Sequence, residues 1–195
     1  MTRRHLRVVP DPDVPEHLAG DPEPAAEEVA RTIVLRLLTA SPKSRRQLED
    51  KLAERGVDPE VTAHVLDRLE DVRLVDDEAF AESYVSTRQR TRGLARGALR
   101  RELQQKGVTG ETAEHALGTI SEDAERAAAV ELVERKLRGR PVPTGNDPEA
   151  RAERDKAVRR LAGMLARKGY PPGMALGVVR DVLGGLEDEP DELDD

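Results

Sequence analysis

The sequence predicts an all-α fold: three tandem three-helix repeats, about nine helices, in an elongated, curved modular body with disordered acidic ends. Three observations carry this reading. Apolar residues recur at three- and four-residue spacing, the period of amphipathic helices, and strand-like alternation is lacking. The composition is dominated by Ala, Leu, Val, Arg and Glu, which favour helix, and aromatic residues make up only 2% of the chain, too few for one large core. Finally, one pattern occurs three times: RRQLEDKLAERGV (45–57), RGALRRELQQKGV (96–108) and VRRLAGMLARKGY (158–170). Each has Leu, a second Leu four residues on, then a base, a Gly and an apolar residue.

The elements follow in chain order. Residues 1–24 are rich in proline and acid and poor in apolar residues, so they read as a disordered segment. The first repeat, 25–75, opens with AEEVARTIVLRLLTA. Ser44 and Gln47 then form a capping box at the start of its second helix. That helix closes at Arg55-Gly56, with Gly56 in the left-handed conformation, and Asp58-Pro59 caps and starts the third. The second repeat, 76–121, opens with DDEAFAESYVSTRQR, capped by Asp76 or Asp77. Lys106-Gly107 closes its middle helix, and GETAEHALGTI follows. The third repeat, 122–186, opens with EDAERAAAVELVERKLRG and closes its middle helix at Lys168-Gly169. A Pro/Gly-rich insertion, 139–151, accounts for a Gly-to-Gly spacing of 62 residues there against 51 before it. Residues 187–195 read as an acidic disordered tail.

Charge is distributed unevenly. The chain carries −7 in total, but residues 84–106 hold seven bases and one acid. Two of the three aromatic residues, Phe80 and Tyr84, lie directly before this stretch or at its start, at helical spacing on one face. They read mainly as filler of the second repeat's core, with the Tyr84 hydroxyl free to meet a partner. Arg88, Arg90, Arg92, Arg96, Arg100 and Arg101 are the candidate binding residues, because few acids lie near them in sequence to neutralise them. Asp76, Asp77, Phe80, Gly56, Gly107 and Gly169 are the structural motif residues.

Several function classes lack their signatures. There is no GxxxxGK[ST], HExxH or GxSxG, so nothing points to an enzyme or a small-molecule substrate. The absence of cysteine removes disulfide, thiolate-metal and Cys-nucleophile chemistry, and suits a reducing cytoplasm. His64 and His115 hold equivalent repeat positions without a metal-ligand pattern, and no cofactor is indicated. No apolar run is long enough to span a membrane.

The pattern Asp76-Asp77, Phe80-Ala81, Tyr84-Val85, Arg88, Gly93, Leu99, Glu102-Leu103, Lys106-Gly107-Val108 resembles the RecX family, regulators of the recombinase RecA. Ser44, Arg45, Leu48, Leu52 and Arg55-Gly56-Val57 fit as well, and the third repeat departs most. The resemblance implies a non-catalytic helical protein that binds the RecA–DNA filament and inhibits ATP hydrolysis, strand exchange and filament growth. It leaves direct, weak DNA contact open. The alternative is a helical repeat protein that binds nucleic acid without sequence preference. Base reading is disfavoured, because the third helices begin PEVTAH, GETAEH and PPGMAL, without Arg, Asn or Gln at their starts.

Overall fold

A computed structural model describes residues 25–143, 145 and 147–185. The two ends expected to be disordered, 1–24 and 187–195, lie outside these residues. Nine α-helices are present among the described residues, with no strand: α1 (Ala26–Ala40), α2 (Arg45–Ala53), α3 (Pro59–Asp71), α4 (Asp77–Arg92), α5 (Arg96–Gln105), α6 (Gly110–Gly118), α7 (Glu122–Arg138), α8 (Pro148–Arg167) and α9 (Pro172–Gly185). Successive triplets pack as three units, and the closest helix–helix contacts fall within each triplet.

Each unit has its own small core. Leu48 and Leu52, Leu99 and Leu103, and Leu161 and Leu165 are all fully buried, one pair per unit. Spacing of four puts both leucines of a pair on the inner face of the middle helix. Complete burial of one such side chain contributes about 1.5–3 kcal/mol. Around them lie Ala30, Val34, Val65 and Leu66 in unit 1, and Phe80, Ala81, Val85 and Leu117 in unit 2. Ala129, Val133, Val178 and Val179 serve unit 3. Ala95, from the α4–α5 link of unit 2, is buried in the core of unit 3, so that boundary is also a packed contact.

Helix starts follow local chemistry. Ser44 and Gln47 make the reciprocal capping box of α2. Asp76, rather than Asp77, caps α4 by accepting from the N–H groups of Glu78 and Ala79. Asp147 caps α8 in the same way, with Pro148 at the first helical position. The insertion expected over 139–151 is therefore partly helical. Asp147-Pro148 is a strong start signal, and α8 runs unbroken from it to Arg167.

The middle helices end alike. Gly56, Gly107 and Gly169 have φ of +73°, +80° and +89°. The N–H of the following residue returns to the second leucine's carbonyl: Val57 to Leu52 at 3.1 Å, Val108 to Leu103 at 3.0 Å and Tyr170 to Leu165 at 3.2 Å. This six-to-one bond is the Schellman closure.

The three glycines differ in surroundings. A Cβ on Gly56 would meet nothing within 4 Å, one on Gly107 would strike the Arg46 side chain, and one on Gly169 would strike the backbone of Ala98. Gly56→Val is therefore expected to cost about 1–2 kcal/mol, the strain of a left-handed β-branched residue. Gly169→Val should cost several-fold more, with Gly107→Val between, because flexible Arg46 can move and the α5 backbone cannot. Urea melts of the three variants check this order; equal losses at all three sites would contradict it.

Candidate partner-binding face at the unit junctions

The units join in series through one repeated joint. The left-handed turn of one unit sits against the amino terminus of the preceding unit's middle helix. At the first joint the Ser44 hydroxyl donates to the Lys106 carbonyl at 2.6 Å. At the second the Ala95 N–H donates to the Lys168 carbonyl at 2.9 Å. Here the backbones nearly touch: a Cβ on Gly97 would lie 2.6 Å from the Gly169 carbonyl oxygen.

An acid from the following unit completes each joint. The N–H of Arg45, at the start of α2, donates to Asp77 Oδ1 at 2.8 Å. The N–H of Arg96, at the start of α5, donates to Glu125 Oε1 at 2.6 Å. The first turn of a helix leaves N–H groups without partners, and its dipole favours a negative charge there. Asp77 thus caps α2 from another unit, and Glu125 caps α5, whose own Ala95 has no side chain able to do so. Burial raises the Asp77 pKa, against the lowering effects of the Arg45 N–H and charge. Glu125 is 2% exposed and also pairs with Arg96 Nε at 3.1 Å.

This architecture divides the six candidate arginines. Arg96 is committed to Glu125. Arg100 makes a two-pronged pair with Glu114 at 2.7 and 2.8 Å. Arg88 lies 3.5 Å from Glu102 and 5.0 Å from the Tyr84 ring centre. Glu114 and Glu125 are outside the basic stretch, and helix packing brings them to it. Arg90, Arg92 and Arg101 are exposed and pair with no carboxylate among the described residues. Phe80 is buried and stacks on Tyr84 at 5.7 Å. The Tyr84 hydroxyl donates to Glu102 at 2.6 Å, which occupies the group expected to be free for a partner.

Each joint leaves a cleft beside it. The first, about 360 Å³, lies between units 1 and 2 and is lined by Lys43, Arg88 and Lys106 around Tyr84. Lys106 Nζ stands 5.1 Å from the Tyr84 ring centre. The second, about 330 Å³, lies between units 2 and 3 and is lined by Arg90 and by Arg135, which pairs with Glu131 at 3.9 Å in the same wall, beside Gly93 and Leu132. Next to it the Lys168 ammonium donates to the Arg92 carbonyl. Burial, then the charges of Arg135 and Arg92, push the Lys168 pKa down. The two clefts occupy equivalent places, with Leu132 standing where Tyr84 stands one unit earlier. Lys43, Lys106 and Lys168 join the candidate set on these grounds, whereas Arg135 shares its charge with Glu131. In the sequence, the two lysines before glycine read only as helix-end bases.

The histidines are elsewhere. His64 lies 3.7 Å from Glu27 and His115 3.5 Å from Glu82, both at the surface. No group of three metal-ligating side chains occurs among the described residues, and none of their helices is long and apolar enough to cross a membrane.

Comparison with known proteins gives a consistent result. Residues 30–69 match the family description of the RecX first three-helix domain, and residues 76–117 that of the second. Regulatory protein RecX of Streptomyces lividans is 46% identical over 176 residues, spanning 90% of this chain and 89% of that protein. Regulatory protein RecX of Mycolicibacterium vanbaalenii is 43% identical over 174 residues, 89% of this chain and 93% of that one. Among solved structures, RecX from Lactobacillus salivarius superposes with a TM-score of 0.68 at 21% identity, covering 80% of this chain and 96% of that one. A second regulatory protein RecX structure gives 0.66 at 25% identity, covering 80% and 73%.

Two outcomes are expected from the joints. Glu125→Ala should cost about 1–3 kcal/mol in a urea melt, since it orphans the Arg96 N–H, and Glu125→Gln should cost less because an acceptor oxygen remains. The second concerns Tyr170, whose hydroxyl donates to the Gly93 carbonyl at 3.3 Å. Burial, then Glu125 and Glu131, push its pKa up to about 12. The unfolded phenol titrates near 10, so the fold favours the neutral form. Its contribution is complete below about pH 10 and is lost as pH rises towards 12. Tyr170→Phe should flatten the stability curve over that interval; an unchanged slope would count against the assignment.

Proposed function

From the premise that the chain belongs to the RecX family, we propose that it binds the RecA recombinase on DNA and restrains it, lowering ATP hydrolysis, strand exchange and filament growth. The observation that carries this reading is the pair of equivalent clefts with basic side chains at successive joints, Arg90 lining the second, together with Arg92 and Arg101, which are exposed without a carboxylate partner among the described residues. A repeated cationic feature suits a partner whose negative charge also repeats, and a nucleoprotein filament is such a partner. The protein acts by binding in the cytoplasm, with no chemistry of its own; its relatives carry the name of regulatory proteins. Arg88, Arg96 and Arg100 position the face, because their charge is already shared with Glu102, Glu125 and Glu114. Direct contact with phosphates is part of the proposal. Sequence reading by base contacts is not, since α3, α6 and α9 start with Pro59-Glu60, Gly110-Glu111 and Pro172-Gly173.

Replacing Arg90, Arg92 and Arg101 together by Glu is expected to leave the fold within about 0.5 kcal/mol, as surface changes do. Inhibition of RecA ATP hydrolysis on single-stranded DNA should weaken by roughly tenfold or more, because three attractive charges become repulsive ones. If these residues touch phosphates, each single Arg→Ala change should lower the slope of log K against log salt by about 1. Full inhibition by the folded triple variant would refute the assignment of this face.

A further inference from the structure

Counting from the buried leucine pairs, Ala157 holds in unit 3 the position of Ser44 in unit 1 and Ala95 in unit 2. There the likeness between the units stops. Units 1 and 2 start their middle helix at that position, and the following unit sits on it and supplies a carboxylate, Asp77 or Glu125. In unit 3, α8 runs through position 157 from Pro148, and no unit follows among the described residues. Instead, segment 140–143 and this face of α8 enclose a cavity of about 70 Å³.

Sequence and packing together build this cavity. Glu153, Lys156, Ala157 and Arg160 are spaced i, i+3, i+4 and i+7, so α8 presents them along one face. The Arg140 N–H donates to the Leu137 carbonyl at 2.9 Å, closing the end of α7. Pro141 and Pro143 fix φ on either side of Val142, which packs on the core of unit 3 and pins the segment. Exposed Arg140 and half-buried Arg160 both line the cavity. The charges around it do not balance. The one carboxylate in the lining, Glu153, pairs with Lys156 at 3.2 Å. The side chains of Arg140 and Arg160 have no hydrogen bond or ion pair among the described residues, and the Arg160 Nε is buried without an acceptor. A buried donor on a charged group is costly to leave unpaired, so this atom calls for an acceptor from outside the chain.

We propose that this cavity is a phosphate-binding site, in which Arg160 and Arg140 hold one tetrahedral phosphate group with Lys156 at its edge. The two guanidiniums without an acid carry two positive charges. A phosphate with a free end carries about −1.5 to −2 and three strong acceptor oxygens at neutral pH. A carboxylate brings one charge and two oxygens, and would leave one guanidinium uncompensated. The forked N–H donors of arginine match the edge of a phosphate. The volume seats one such group and keeps anything attached to it outside. The source is either free inorganic phosphate or the terminal phosphate of a nucleic-acid strand. The site shares no lining residue with the two clefts at the joints, and its test does not depend on RecA.

The test uses the isotopically labelled full chain and follows the Arg160 Nε–H signal with the Arg140 and Ala157 amides. At constant ionic strength, inorganic phosphate is expected to shift them saturably, with a dissociation constant of about millimolar. Arg160→Gln should weaken this binding at least roughly tenfold, read from the amides. Arg140→Gln, at an exposed position that leaves the fold intact, should weaken it by the same order. A short oligonucleotide with and without a terminal phosphate separates the sources. Binding tighter than that of inorganic phosphate, and lost with the terminal group, assigns the site to a strand end; binding no tighter assigns it to the free anion. Absence of a saturable shift with phosphate, or shifts indifferent to Arg140→Gln, would overturn the proposal. Equal shifts with acetate would overturn the choice of phosphate and make the cavity a seat for an acidic peptide.

Discussion

The seating of a left-handed turn on a helix amino terminus is the contact on which the arrangement of this molecule depends. A helix that ends needs somewhere to turn, and a helix that starts has N–H groups without partners. The chain answers both needs at one place, twice. The glycine that lets α8 end also lets its backbone approach α5 closely enough for a carbonyl to meet the Ala95 N–H. Any side chain at Gly169 would separate the two units. Ser44 shows the same economy of parts, since its hydroxyl accepts from Gln47 within α2 and donates to Lys106 in the next unit.

This joint also sorts the charges. A joint built on a helix amino terminus draws in a carboxylate, and Asp77 and Glu125 supply it. The arginine beside that terminus is then claimed by structure, as Arg96 is by Glu125. Exposed positions with no carboxylate partner among the described residues keep their charge for the surroundings, as Arg90, Arg92 and Arg101 do. The basic stretch is one run in sequence and two populations in space. The Lys106 and Lys168 side chains add to the second population, because the turns that carry them lie at the mouths of the clefts.

Much of the fold could be read from local signals. Helix period, leucine pairs, Asp58-Pro59, the Ser44–Gln47 box and the three glycines act over four or five residues and need no knowledge of the rest. The helical start of α8 inside the expected insertion was legible too, in Asp147-Pro148, but the Pro/Gly content around it masked the signal. The candidate site was less legible. Glu125 pairs with Arg96 across 29 positions, and Glu114 with Arg100 across 14. No local rule joins such residues. The register between Asp77 and Glu125 is hidden further by an extra turn at the start of α7, which shifts the acid away from the helix cap. The Tyr84 hydroxyl was expected at a free surface for the same reason, since Glu102 reaches it from a different helix.

The unbroken passage of α8 through position 157 has a consequence for how many units such a chain can hold. Each added unit needs a start, not an end, of the preceding middle helix to sit on. Units 1 and 2 begin their middle helices at that place, at Arg45 and Arg96, and each carries a successor. Unit 3 begins its middle helix more than two turns earlier, at Pro148, and so offers a smooth cylinder where a seat would be. The length of the array is thus written in where one helix begins. A duplication that appended another copy of unit 2 after α9 would find no helix start at position 157 to sit on.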